Sequence, residues 1–195
     1  LQGWSGDELV FRLNASDCGI PAGTMEDAVR DALDVWNRVP DSRMKLRYGG
    51  TSTTTAAQAN AGTAADSPVI VCDSDFNTTT GTTGDGGVMG IGGFTSTNDR
   101  ITYGMLLLNS DTTSSPSRNI TTISTTALSI VIAHEIGHVL GFGHSQYPAA
   151  LMHYSVGQKA SLALAQDDMD AMAYLYPRAE PSDGLLGCGT ITGSG

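Results

Sequence analysis

Residues 134 to 144 read His-Glu-Ile-Gly-His-Val-Leu-Gly-Phe-Gly-His, and this stretch restricts the fold more than any other. His134 and His138 stand four apart, so on a helix they lie one above the other on a single face. His144 cannot join them there, because six residues on it lies ~9 Å along the axis and ~240° around it. For all three imidazoles to serve one centre, the helix must stop after His138 and the chain must turn back. Gly141 stands where that turn falls, and glycine takes the left-handed, helix-ending conformation at least cost.

Three imidazoles gathered in this way make a zinc site, with nitrogens ~2.1 Å from the ion and therefore ~3.4 Å from one another. Glu135, beside the first histidine, is placed to polarise a zinc-bound water, whose pKa the metal lowers toward neutrality. The competing reading is a buried helix that carries its histidines by chance. The chain has four histidines, and the fourth, His153, lies just downstream of the other three. That clustering favours a metal.

At 195 residues the chain is one domain, or one domain with a tail, and long enough for a sizeable core. Its 20 acidic against 10 basic residues leave a formal charge of −10. This excess disfavours nucleic acid and anionic membranes as partners, because phosphate binding needs a basic surface. No apolar run approaches the ~20 residues that span a bilayer. The first residue is Leu1 rather than Met, which leaves room for upstream material such as a signal peptide or pro-segment. None of the cysteines Cys18, Cys72 and Cys188 has a neighbour at metal-ligand spacing, so one disulfide in an exported protein is expected. Cys18 follows a predicted strand and Cys72 ends another, so these two can meet. Cys188 is the rival partner.

Leu9–Leu13 reads as a first strand. Thr24 is placed to cap a helix over Met25–Arg38, with Ala28, Ala32, Val35 and Trp36 at helical spacing. Met44–Tyr48 alternates as a second strand. Residues 49–67 lack any period and read as a long loop, with a short helix around Ala56–Ala61. Pro68–Cys72 is a buried strand, Val88–Phe94 a glycine-rich one, and Ile101–Leu108 another. Ser129–Leu140 is the histidine helix, and Leu162–Tyr176 is a last helix stopped by Pro177. Together these make a mixed sheet with three main helices and a cleft. The glycine-rich strand suits an edge along which another backbone lies close, such as a bound peptide, and a simple bulged edge explains it equally well. From Arg178 onward apolar periodicity disappears, as in a linker or tail. Asp73-Ser-Asp-Phe-Asn77, with Asp85 beyond, spaces oxygen atoms as calcium ligands are spaced. It lacks the glycine and closing Glu of a helix-loop-helix calcium loop, and acids that solvate a turn fit it better.

The His-Glu-x-x-His-x-x-Gly-x-x-His pattern, with a methionine behind it, resembles the metzincin zinc endopeptidases. The likeness to matrixins, the matrix metalloproteinase family, runs further. Ser145 follows the third histidine, and Ala150-Leu151-Met152 comes eight residues past that histidine. Leu164–Tyr176 is similar to the closing matrixin helix, and Gly86-Gly-Val-Met to the start of its substrate-binding edge strand. The resemblance implies an α+β zincin fold, with a twisted mixed sheet of about five strands, three main helices and a cleft above the motif helix. It implies a catalytic domain over residues 1–177, with residues 1–141 above the cleft and 142–177 below it, and 178–195 as a linker or tail. His134, His138 and His144 would bind one catalytic Zn2+, and Glu135 would be the general base toward the zinc-bound water. Met152 would be an apolar floor under the metal, and Asp167 and Asp168 would anchor the last helix to the methionine turn. Protein or peptide substrates, a monomer and a secreted location follow, with cell-surface anchoring through a further C-terminal segment as a variant of the last.

The chain departs from the matrixin pattern in three ways. Four histidines are too few for a second, structural zinc held by three histidines of its own. Met152-His-Tyr-Ser155 stands where matrixins read Met-Tyr-Pro and is similar instead to the astacin turn, whose tyrosine reaches the zinc or stabilises the oxyanion. Tyr154 is therefore a candidate catalytic residue, and a pocket-wall tyrosine is the alternative. The astacin likeness is itself incomplete, since astacins place Glu where Ser145 stands. Cys18-Gly-Ile-Pro21 resembles the cysteine switch of a matrixin pro-segment only superficially, since no Arg precedes it. The rival to an active peptidase is a catalytically silent zinc-binding adhesion or interaction module of the same fold.

Overall fold

A computed structural model describes residues 2–81, 87–113, 119–157 and 159–178. Five strands form one mixed sheet in the order β2-β1-β3-β5-β4. They are β1 (Glu8–Asn14), β2 (Lys45–Thr51), β3 (Val69–Asp73), β4 (Gly90–Thr97) and β5 (Arg100–Asn109). Four run parallel, and β4 lies antiparallel to β5 along one edge. The order is imposed by burial. β3 is Val-Ile-Val-Cys-Asp, buried at every position, the pattern of a central parallel strand covered on both faces. β4 is exposed over its second half, where Phe94 is followed by Thr95, Ser96 and Thr97, as an edge strand tolerates.

Two long helices, α1 (Ala22–Asn37) and α4 (Thr125–Val139), pack on one face of the sheet. Phe11, Leu13, Ile70, Cys72, Leu106 and Leu108 meet them there, with Trp36 fully buried between the helices. The Trp36 indole donates to the Ala133 carbonyl at 2.9 Å, so its one polar atom is satisfied. On the other face, α2 (Ala56–Asn60) and α3 (Phe76–Thr80) cover Val69, Val71 and Leu107 with Ala59 and Phe76. The last helix, α5 (Gln166–Leu175), lies beyond the motif.

The expected elements are all present, with shifted ends. Thr24 caps nothing: α1 begins at Ala22, and Met25 already donates to the Pro21 carbonyl. α4 starts four residues before the expected Ser129, because Ser124 caps it by accepting from the Ala127 N–H. α5 likewise starts later than Leu162, and α3 is unannounced by the sequence.

Cys18 and Cys72 are bonded, tying the segment after β1 to the end of β3. This pairing removes Cys18 from any metal-blocking role. Cys188, Asp85, Gly86 and the expected tail beyond residue 178 lie outside the described residues. Asp73 is no solvated loop acid: it closes β3 and is 5% exposed, while Asp75 is at the surface.

Candidate metal centre and active site

The motif helix ends where the histidine spacing requires. Gly141 has φ 104°, and its N–H bonds the His138 carbonyl while the Phe142 N–H reaches back to Gly137. This paired closure satisfies two of the last carbonyls of α4 and turns the chain toward His144. Two further carbonyls at that end are capped by distant side chains: Trp4 Nε1 donates to Val139 at 2.8 Å, and the Tyr176 hydroxyl to Leu140 at 2.6 Å. Phe142 then packs against Trp36 and Tyr176, fixing the reversed segment to the core.

His138 Nε2 consequently lies 3.2 Å from both His134 Nε2 and His144 Nε2. The other ring nitrogens of His134 and His138 sit 2.8 Å from the Leu151 and Phe142 carbonyls. A carbonyl only accepts, so each Nδ1 carries the proton and each Nε2 keeps its lone pair. Lone pairs facing one another at this distance repel unless a cation lies among them. Spacing, tautomer and donor type all fit zinc. Burial lowers the His134 pKa to about 4 and lowers that of His138 as well, so these imidazoles are neutral and free to ligate. Among the described residues this triad is the one grouping of three His, Cys, Asp or Glu side chains able to hold a metal. His153 stays outside it, its ring against Tyr154.

Glu135 is buried, and its Oε2 accepts the Gly92 N–H at 2.6 Å. Burial raises its pKa to about 7, and the Gly92 hydrogen bond opposes the rise. Gly92 is glycine because a Cβ there would overlap the Glu135 carbonyl, and one at 90 would crowd the Glu135 side chain. The close backbone that the glycine-rich strand demands is thus the motif helix itself. The outer edge of β4 remains unpaired in the sheet order.

Behind the histidines, Met152 is buried with its sulfur where a side chain at Gly137 would stand. Asp168 holds the methionine turn: its carboxylate accepts the N–H groups of Leu151 at 2.7 Å, Met152 at 2.9 Å and Ala165 at 2.8 Å. Asp168 is 1% exposed, whereas Asp167 lies at the surface and takes no part in that anchor. Tyr154 is 73% exposed. It lines a cleft of about 540 Å³ together with Met89, Gly92, Val131, Glu135 and the three histidines. The triad was legible from spacing, but the Gly92 anchor was not. A glycine run was its only trace in the sequence.

Sequence comparison with known proteins identifies the family. The profile of the matrixin peptidase family matches residues 3–177. Matrix metalloproteinase-18 of Xenopus laevis is 26% identical over 186 residues, covering 90% of this chain and 34% of its own length. Human neutrophil collagenase is 43% identical over 51 residues, 25% of this chain and 11% of that protein. The Arabidopsis thaliana metalloendoproteinase 5-MMP is 39% identical over 70 residues, 35% of this chain and 19% of its own. The chain spans about a third or less of the length of these relatives. With a family match over nearly all described residues and a three-histidine centre at its heart, the chain belongs to the matrixin family of zinc metalloendopeptidases.

Proposed function

We propose that residues 1–177 are the catalytic domain of a secreted, monomeric endopeptidase that hydrolyses peptide bonds in protein or peptide substrates. The observation that carries this reading is the Glu135 carboxyl, buried beside three converging imidazoles and held by the Gly92 N–H. His134, His138 and His144 hold the zinc. When bound, zinc supplies Lewis acidity toward a carbonyl oxygen and lowers the pKa of coordinated water.

The remaining work falls to the chain. A substrate lies extended along the free edge of β4, its backbone adding a strand to the sheet. Glu135 takes a proton from the attacking water and passes it to the leaving amine. Burial raises the Glu135 pKa and so favours the half of that transfer in which the carboxyl holds the proton. The Tyr154 phenol donates a hydrogen bond to the oxyanion. Met152 forms the apolar floor, and the loop from Tyr154 to Ser161 shapes the pocket on the leaving-group side. Export is supported by the Cys18–Cys72 disulfide, since such bonds persist in oxidising compartments. The formal charge of −10 argues against nucleic acid as a partner.

Cleavage of a quenched peptide by zinc-loaded wild type and Glu135→Gln tests the reading. Wild-type turnover is expected to vanish with chelator and return with zinc. Glu135→Gln is expected to keep its zinc while losing about 10²–10⁴ in kcat. A zinc-loaded wild type that cuts no peptide or protein would make the domain a silent binding module instead.

A further inference from the structure

One stretch of the cleft wall, from Tyr154 to Gly157, lies in neither helix nor strand. With no ladder of backbone bonds to hold it, its place depends on a few individual contacts. The Lys159 N–H bonds the Val156 carbonyl at 3.1 Å, and the Val156 side chain packs against the core. A polar tie to the chain outside this loop comes from the Lys159 ammonium, which donates to the Pro148 and Ala149 carbonyls, each at 3.1 Å. Those two carbonyls sit in a turn that is itself fixed. The Ala150 N–H reaches the Tyr147 carbonyl, and Leu151 gives its N–H to Asp168 and its carbonyl to the His134 ring. Lys159 therefore fastens the pocket wall to the same segment that orients a zinc ligand.

Lys159 is the single Lys or Arg between residues 142 and 177, a stretch with three aspartates. Among the described residues it joins no ion pair. Its ammonium goes instead to the carbonyls of two consecutive residues, although ordering a lysine stem costs rotamer freedom. Charge-assisted bonds to two converging acceptors offset that loss. The charge also reaches His134, where it disfavours the imidazolium. We propose that Lys159 is a positioning residue that sets the width of the leaving-group-side pocket and thereby selects the side chain following the scissile bond. This rests on the peptidase reading and refines it. With the ammonium seated, the wall keeps its place relative to Val131 and His134, which line the same cleft. Released, the wall yields to side chains of any size. Asp168 holds Leu151 independently, so metal binding survives the loss of the ammonium.

The test uses two hydroxamates of one peptide scaffold, with an isobutyl or a methyl side chain at the first leaving-group-side position. Each is titrated calorimetrically into the zinc-loaded full chain as wild type, Lys159→Met and Lys159→Arg. Wild type is expected to prefer isobutyl at least about tenfold, since a fitted apolar pocket discriminates by size. Lys159→Met should cut that ratio to about threefold or less with zinc still at one per chain, whereas Lys159→Arg, which keeps charge and donors, should preserve it. Peptides with Leu or Ala after the scissile bond should show the same narrowing in kcat/KM, chiefly through KM. Should Lys159→Met fail to fold, Lys159→Gln takes its place. An unchanged ratio in the neutral variant overturns the proposal, as does loss of zinc with it or an arginine variant that behaves like the methionine one. A wild type that binds both hydroxamates alike, or neither, overturns it too. Hydroxamate binding needs bound zinc but no turnover, so a domain that cleaves nothing would sink the peptidase reading while this ratio still reads the pocket.

Discussion

Tyr154 and Tyr176 show how burial divides two like residues into different work. Tyr154 is 73% exposed on the cleft wall, where its phenol is available to a substrate. If it donates to the oxyanion, Tyr154→Phe lowers kcat about tenfold to a hundredfold with little change in KM, because the bond forms only in the transition state. An unchanged kcat in steady-state assays assigns it to the pocket wall. Tyr176 is fully buried, donating to the Leu140 carbonyl and accepting the Trp4 N–H. Burial pushes its phenol up to about 12, while the Trp4 N–H and the Arg43 charge pull the other way. The folded state therefore keeps a proton that the unfolded chain releases near pH 10, and stability falls as pH rises from 10 to 12. Denaturation across that range should show a loss of about 3 kcal/mol from this group, a contribution absent in Tyr176→Phe. The histidines and Glu135 were legible because their spacing along one chain segment encodes their geometry. The Tyr176 pairing was not, because its partners lie 172 and 36 residues away. Periodicity cannot see such distances.

At the scale of elements, the contact between β4 and α4 is the decisive one. Gly92 brings the edge strand against the motif helix and offers its N–H to Glu135 in the same approach. Gly92→Ala is expected to push β4 away from α4 and lower kcat/KM by at least about a hundredfold while zinc content stays at one per chain. Metal analysis beside peptide kinetics checks this, and loss of zinc along with activity would count against a local role. The glycine run left two readings open, a backbone lying close or a simple bulged edge, and the motif helix is the backbone that lies close. Element types were readable from period and burial, whereas ends depended on single caps. Ser124 extended α4 by its hydroxyl, and Pro21 set the start of α1 in place of Thr24. α3 escaped notice because Phe76-Asn-Thr-Thr-Thr80 has neither helical period nor helix-forming composition.

For the whole molecule, the sheet order and the two-sided site are consequences of long-range packing. That β1 lies between β2 and β3 is not written in any strand, and follows from which faces the helices bury. What the sequence did contain was the demand that a helix break and return, and the closure at Gly141 together with the Asp168 clamp on the methionine turn meets it. The account rests on three imidazoles from that broken helix holding one zinc. X-ray absorption at the zinc edge of the purified, stoichiometrically loaded protein measures this directly. Three imidazole nitrogens at about 2.0–2.1 Å with one further light ligand are expected, falling to two in His144→Ala. A spectrum with sulfur in the first shell, or one that His144→Ala leaves unchanged, would contradict it.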